Sequence, residues 1–384
     1  MRKLRCPLYP LSPEEIIVRM YNRTSFFLLP VFTHYFSVWG IIGILMNKNT
    51  LKLLRNTALI LLVTILASAV LFGKDSKEVF QELGSMDLPH ILLAFACTML
   101  WELSSGLSLT VFSRVFKKDY RVSEGFLNAL VASLFNNITP SSSGGQVAQF
   151  MIFRKQGLKS DESAAVLWLE FLVFQIVLCI GSIFFYLLRA DLFLREFSAY
   201  NIFFFIGLLL HIGLIAGIFL LLRSKRFYDF IFGKGILIGA KLHLIKDPDK
   251  TREKLNRTVN SFQKLLHDLK DYKSSFFKAG LCVLPRLFFH YGISFAVLTG
   301  LGIPFTLENL VTCLSLSSFL NVASALVPLP GGSGGAEAFF VLLFGKVYDP
   351  LKVRAGMLLW RFFSFYLLIL VGVIAYGYYK IKEK

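Results

Sequence analysis

Thr139-Pro140-Ser141-Ser142-Ser143-Gly144-Gly145-Gln146-Val147-Ala148-Gln149-Phe150 aligns without a gap to Leu329-Pro330-Gly331-Gly332-Ser333-Gly334-Gly335-Ala336-Glu337-Ala338-Phe339-Phe340, at an offset of 190 residues. The two segments share Pro, Ser, Gly-Gly, Ala and Phe at matching positions. Each follows a run rich in small and polar residues, Asn128 to Asn137 and Ser315 to Ser324. The spacing is half of the 384-residue chain and points to an internal duplication. Pro and paired Gly interrupt helices. The apolar stretches that follow, 146–153 and 336–345, are too short to cross a bilayer, which takes about 20 residues.

What surrounds the motifs decides how they are read. Hydrophobic residues make up 55% of the chain and charged residues only 17%, with 40 Phe. That excess of apolar side chain cannot be hidden from water in a protein of this size, so lipid is its solvent. Cytosolic enzymes, disulfide scaffolds and disordered chains are excluded. The apolar runs are long and unbroken, which argues against a β-barrel. Candidate spans are 51–72, 88–113, 124–138, 163–188, 200–222, 276–300, 306–328 and 353–379, with 25–46 either crossing or lying in the interface. Backbone broken by Pro and Gly cannot face lipid and must be buried in protein or line a wet cavity. The expected fold is therefore all-α and polytopic, with about eight spans plus two re-entrant Gly-rich hairpins in an inverted repeat. A helix that starts after a Gly-rich turn is expected to present free N–H groups to a phosphate or carboxylate.

The net charge of +17 reflects 41 Lys and Arg against 24 Asp and Glu. In a chain this apolar, such bases belong to cytoplasmic loops facing anionic headgroups, not to nucleic acid. Segment 223–273 carries 13 bases against 6 acids and is the strongest cytoplasmic marker. Within it, Leu255, Val259, Phe262, Leu266 and Leu269 recur at helical steps, as in an interfacial helix on anionic lipid. The loop 114–121 is basic and the loop 73–87 acidic. These signs place the C-terminus inside, in a plasma membrane, with the first hairpin entering from the inside and the second from the outside. Lys346, Lys352 and Arg354, with only Asp349 beside them, resist that arrangement. The resulting organisation is an N-terminal extension over 1–50, a first membrane half over 51–222, a basic segment over 223–275 and a second half over 276–384.

Ionisable residues inside spans are costly and usually face the bundle interior. They are Glu102, Glu170, His211, Arg286, His290, Glu337 and Arg361. Arg286 and Arg361 have the fork geometry that suits phosphate. Glu170 and Glu337 would balance them or receive a cationic headgroup. Glu102 and His211 read as structural or near an interface. Cys6, Cys97, Cys179, Cys282 and Cys313 form no metal or redox spacing. No Walker loop or HExxH motif is present, and Ser143 and Ser333 lack an obvious base, so no catalytic residue, metal or cofactor is expected.

The chain resembles the membrane region of the lysylphosphatidylglycerol synthetase/flippase family, from about Leu51 onward. The resemblance rests on Asn136-Asn137-Ile138-Thr139-Pro140 with Gly144-Gly145, on Pro328 to Glu337, and on Arg361. It implies a polytopic helical fold and movement of an anionic or aminoacylated phospholipid, such as lysylphosphatidylglycerol, between leaflets. In two-part members a soluble aminoacyl-transferase domain follows. These residues are similar to a stand-alone member, for which a separate lipid-modifying enzyme is a candidate partner. The family's first Gly-Gly is usually followed by Glu, where this chain has Gln146. The candidate substrate-binding set is Asn137, Pro140, Ser143, Gly144, Gly145, Gln146, Glu170, Arg286, Pro330, Ser333, Gly334, Gly335, Glu337 and Arg361. The expected partners are membrane phospholipid at this set and anionic headgroups along 223–273. The alternative function is a membrane enzyme or carrier acting on polyprenyl-phosphate-linked sugars.

Overall fold

A computed structural model of the protein describes residues 76–139, 144–223, 273–326 and 334–382. The expected spans 25–46 and 51–72, most of the amphipathic stretch 251–273, and Pro140, Ser143, Pro330 and Ser333 lie outside the described residues. Among the described residues every regular element is helical. In chain order they are α1 (Ser76–Gly84), α2 (Leu88–Phe116), α3 (Val122–Ile138), α4 (Gly144–Lys155), α5 (Ser160–Leu188), α6 (Ala190–Arg195), α7 (Asn201–Arg223), α8 (Lys273–Gly300), α9 (Leu307–Ser324), α10 (Gly335–Phe344) and α11 (Pro350–Arg361). A π-helical turn (Phe362–Tyr366) then leads into α12 (Leu367–Lys382).

Local chemistry sets where these helices begin. Asp87 accepts the His90 N–H at 3.2 Å and caps α2, with Pro in its first turn. Asp349 does the same for α11, accepting from Leu351 and Lys352 at 3.0 and 3.1 Å. Thr306 caps α9 through the Asn309 N–H. Glu124 and Glu162 reach back to the backbone N–H of Arg121 and Lys159 at the starts of α3 and α5.

Five stretches are long and apolar enough to cross a membrane: Leu88–Phe116, Ser160–Leu188, Asn201–Leu220, Lys273–Gly300 and Pro350–Ile381. Only 33% to 56% of their apolar windows is buried inside the protein. Ile180, Leu187, Leu209 and Ile374 are each more than 60% exposed and need lipid around them. The described residues thus supply five spans where seven of the eight expected fell. Runs 124–138 and 306–328 fall short for physical reasons. α3 has 17 residues, and the 18 residues of α9 are diluted by Ser, Thr and Asn.

α8 packs most extensively against α2, and α3, α5 and α9 fit around that pair. α2 and α3 meet backbone to backbone. A Cβ on Gly106 would lie 2.6 Å from the Phe126 Cα, so only glycine allows this approach.

Contacts between loops sort the helix ends into two groups. At one end, Lys352 Nζ donates to the Gly302 carbonyl, Arg189 lies 3.7 Å from Glu308, and Lys346 Nζ donates to the Glu196 carbonyl. At the other, Lys117 Nζ and the Tyr120 hydroxyl donate to Gln156, and the Phe112 ring meets the edge of Phe276. Lys155 and Lys380 also meet there. Partial burial, and then the Lys380 charge, push the Lys155 ammonium below its ordinary range.

The two short helix pairs open toward opposite ends. Gln156, just past α4, donates to the Glu124 carbonyl at the start of α3. Tyr348, just past α10, donates to Asn309 at the start of α9. The bases at 346–354 lie at the second of these ends, with Asp349 beside them in sequence, while Asp191 and Glu308 stand near Arg189. Lys346 also lies over the rings of Phe197 and Tyr200, at 5.5 and 5.2 Å.

Candidate functional site

The inner ends of the two helix pairs converge on the last long apolar stretch. Glu337, in the first turn of α10, is fully buried. Its Oε2 accepts the Gly334 N–H at 2.7 Å, and its Oε1 lies 2.9 Å from Arg361 Nε. Gly334 has φ +85°, a conformation that side-chain-bearing residues resist, and this lets the chain turn into α10 with the carboxylate already facing inward. Arg361 is the twelfth residue of the 32-residue stretch Pro350–Ile381 and only 4% exposed. Its guanidinium lies over the Phe365 ring at 4.1 Å.

The π-helical turn begins one residue later. Its wider turn leaves carbonyls open to side-chain donors. Thr98 of α2 donates to the Phe363 carbonyl at 3.2 Å, and Asn137 of α3 donates to the Phe365 carbonyl at 3.2 Å. The second motif is therefore tied to this turn through Glu337 and Arg361, and the first motif through Asn137.

The start of α4 departs from expectation. The Gly144 N–H donates to Thr139 Oγ1 at 2.8 Å, and the Gly145 N–H to Asn136 Oδ1 at 2.9 Å. With the Gly334 N–H held by Glu337, three of the N–H groups expected to be free for an anion are already satisfied by the protein itself. Short polar side chains at the end of α3 cap α4 from across the turn, a capping bond made over nine residues in place of the usual two or three. An anion at these glycines would have to displace them. Gln146 is half-buried beside them, and Gly335 opens α10.

The other two expected residues meet elsewhere in the bundle. Arg286, which follows Pro285 in α8, places Nη1 2.5 Å from Glu170 Oε1 of α5, and its guanidinium covers the Phe174 ring at 4.2 Å. This pair is more open than Glu337–Arg361, with side chains 21% and 14% exposed. A small cavity is lined by His290, Tyr291, Ser317, Leu320, Asn321 and Trp360. His290 stands one helical turn beyond Arg286, and Trp360 adjoins Arg361.

Glu102, read from the sequence as structural or near an interface, is 1% exposed in the interior and accepts from Ser133 at 2.7 Å. Its signal was the stripe Thr98, Glu102, Ser105 and Leu109, polar to apolar at helical steps on one buried face. Asn136 and Thr139 were seen only as motif letters. His211 sits apart, 3.1 Å from Gln175.

The family model described as the lysylphosphatidylglycerol synthase TM region matches residues 57–372. The chain belongs to this family. The match takes in both Gly-rich motifs, both ion pairs and the π-helical turn, so the geometry above is that of the family's membrane region as this chain builds it. No curated protein matches the chain. As a member of this family with five long apolar helices, it is a multi-pass membrane protein whose business concerns membrane lipid.

Proposed function

We propose that the protein is a lipid translocase that moves an anionic or aminoacylated phospholipid, such as lysylphosphatidylglycerol, between leaflets. The observation that carries this reading is the Arg286–Glu170 pair, a partly open pair of opposite charges between membrane helices. A lysylphosphatidylglycerol headgroup carries both a phosphate and ammonium groups. Its phosphate can pair with the Arg286 fork and one of its ammonium groups with Glu170. The acyl chains stay in lipid against the exposed apolar faces. The closed Glu337–Arg361 pair and the π-helical turn hold the two motifs in register.

In this reading α3–α4 and α9–α10 are the re-entrant hairpins of an inverted repeat, one from each side, as suits alternating access. Among the described residues, the end bearing Arg114, Lys117, Lys118, Arg121, Arg154, Lys155, Lys159, Lys273, Lys278 and Lys380 holds Asp119, Glu124, Asp161 and Glu162 as its acids. By the positive-inside rule it faces the cytoplasm, together with the C-terminus. Membrane-impermeant maleimide should therefore label Lys118→Cys and Glu308→Cys from opposite sides of oriented vesicles. Labelling of both from one side would exclude this topology.

The function itself is tested in proteoliposomes holding tail-labelled lysylphosphatidylglycerol, by following its exposure to an outside quencher. Lipid exchange should run well above that of protein-free vesicles. Arg286→Ala, inserted and monodisperse, should slow it at least about tenfold, the cost of a lost charge-assisted contact of about 1.5–3 kcal/mol. Wild-type exchange no faster than empty vesicles would end the translocase reading.

A further inference from the structure

Around Arg286 the protein has one cation and two carboxylates. Glu170 takes the Arg286 Nη1 at 2.5 Å. Glu102 adjoins Trp101, whose ring stacks on His290 one helical turn from Arg286, and the Arg286 charge acts on it through space. Its Oε1 accepts from Ser133, while its Oε2 is buried with no partner among the described residues. Arg286 Nε is likewise buried and unpartnered. An acceptor on α2 and a donor on α8 are thus left open in the most extensive helix contact among the described residues. The titratable and charged groups on the elements packed around Glu102 are these. α8 brings Lys273, Lys278, Cys282, Arg286, His290 and Tyr291, and α5 brings Asp161, Glu162, Glu170, Cys179 and Tyr186. α3 has Glu124 at its far end, and the π-helical turn has Tyr366. His290 stacks on Trp101, the neighbour of Glu102, at 4.2 Å between centroids.

A carboxylate without a counter-charge is too costly in such an interior, so Glu102 must hold a proton or draw on Arg286. With the proton bound, Glu102, Arg286 and Glu170 sum to zero charge. With it gone, the same three sum to one negative charge, and the site calls for a cation. We propose that Glu102 is a proton-binding site and that the site takes either a proton or a cationic aminoacyl headgroup, never both, so that lipid moves in exchange for a proton. This rests on the translocase reading above. The balance is simple: Glu102 in its acid form gives its proton to water on one side as the ammonium of the lipid arrives. On the other side it recovers a proton from water as the lipid leaves. Acid outside would then drive aminoacylated lipid outward.

The test uses the purified full chain in proteoliposomes with tail-labelled lysylphosphatidylglycerol, the membrane potential clamped, with and without an imposed pH difference. The wild type should move lipid several-fold faster with the gradient and enrich it in the leaflet on the acid side. Glu102→Gln, which mimics the protonated acid permanently, should slow exchange of the lysyl lipid toward the protein-free rate, with or without the gradient. Exchange in the wild type that is unaffected by the gradient would overturn the proton site while leaving the translocase reading intact. No exchange under either condition would remove the translocase reading, and the proton exchange with it. Should Glu102→Gln fail to fold, infrared spectra of the wild type decide the matter. A buried carboxylic-acid C=O band should disappear on saturation with lysylphosphatidylglycerol and persist with phosphatidylglycerol. A band unchanged by the lysyl lipid would overturn the proposal.

Discussion

Arg361→Ala is expected to destabilise the protein by about 3–5 kcal/mol, because it strands Glu337 as an unpaired carboxylate in a site with no access to water. Glu337 is fully buried and Arg361 is 4% exposed, so neither charge can turn to solvent for compensation. The carboxylate also holds the Gly334 N–H, which ties the loss to the start of α10. Glu337→Gln should cost less. An amide oxygen can still accept from Gly334, although the Arg361 charge then loses its counter-ion. The informative comparison is the double variant Glu337→Met/Arg361→Met. A buried pair replaced by apolar side chains of similar volume is often close to neutral, so the double variant should recover most of what either single variant loses. Thermal unfolding in detergent, followed by intrinsic fluorescence, reads all of these. If Arg361→Ala melts with the wild type, the pair is not the closed contact described. If the double variant is stable but translocates no lipid, the pair has a role beyond holding helices together.

That pair also shows how far the sequence could be read. The long apolar runs of α2, α5, α7, α8 and Pro350–Ile381 were legible, because lipid demands the same composition wherever a helix crosses it. Gly-Gly marked the starts of α4 and α10 for an equally local reason. Which carboxylate meets which Arg was not legible. Arg286 was flagged and Glu170 was flagged, but their pairing depends on how α8 lies against α5, and no local pattern encodes that. Glu102 looked ordinary because the charge that gives it meaning comes from a helix far along the chain. The π-helical turn in Phe362-Phe363-Ser364-Phe365-Tyr366 contains neither Pro nor Gly and left no trace. The partners of Lys346 and Lys352 were hidden in the same way, because the carbonyls of Glu196 and Gly302 come from segments distant in sequence.

Gly145→Val is expected to lose about 1–3 kcal/mol of stability, the usual penalty for forcing extra side chain into a packed site, and to stop lipid movement. A Cβ on Gly145 would stand 2.3 Å from Asn136 Oδ1 and 2.5 Å from Asn136 Cγ, so Asn136 must leave its place. In leaving, it gives up the bond from the Gly145 N–H, and the first turn of α4 loses one of its caps. Asn136 adjoins Asn137, which anchors the hairpin to the Phe365 carbonyl, so the disturbance passes directly to the π-helical turn. An ordinary surface loop would tolerate the same substitution. The cause is separable by a double-mutant cycle with Asn136→Ala. If the clash dominates, Gly145→Ala alone should be as harmful as Asn136→Ala alone, and the two together little worse than either, because the side chain in the way is already gone. If the effects of Gly145→Ala and Asn136→Ala simply add in thermal unfolding, the contact between these residues is not what makes glycine necessary here. Lipid movement by Gly145→Val at the wild-type rate would leave the hairpin without a part in transport.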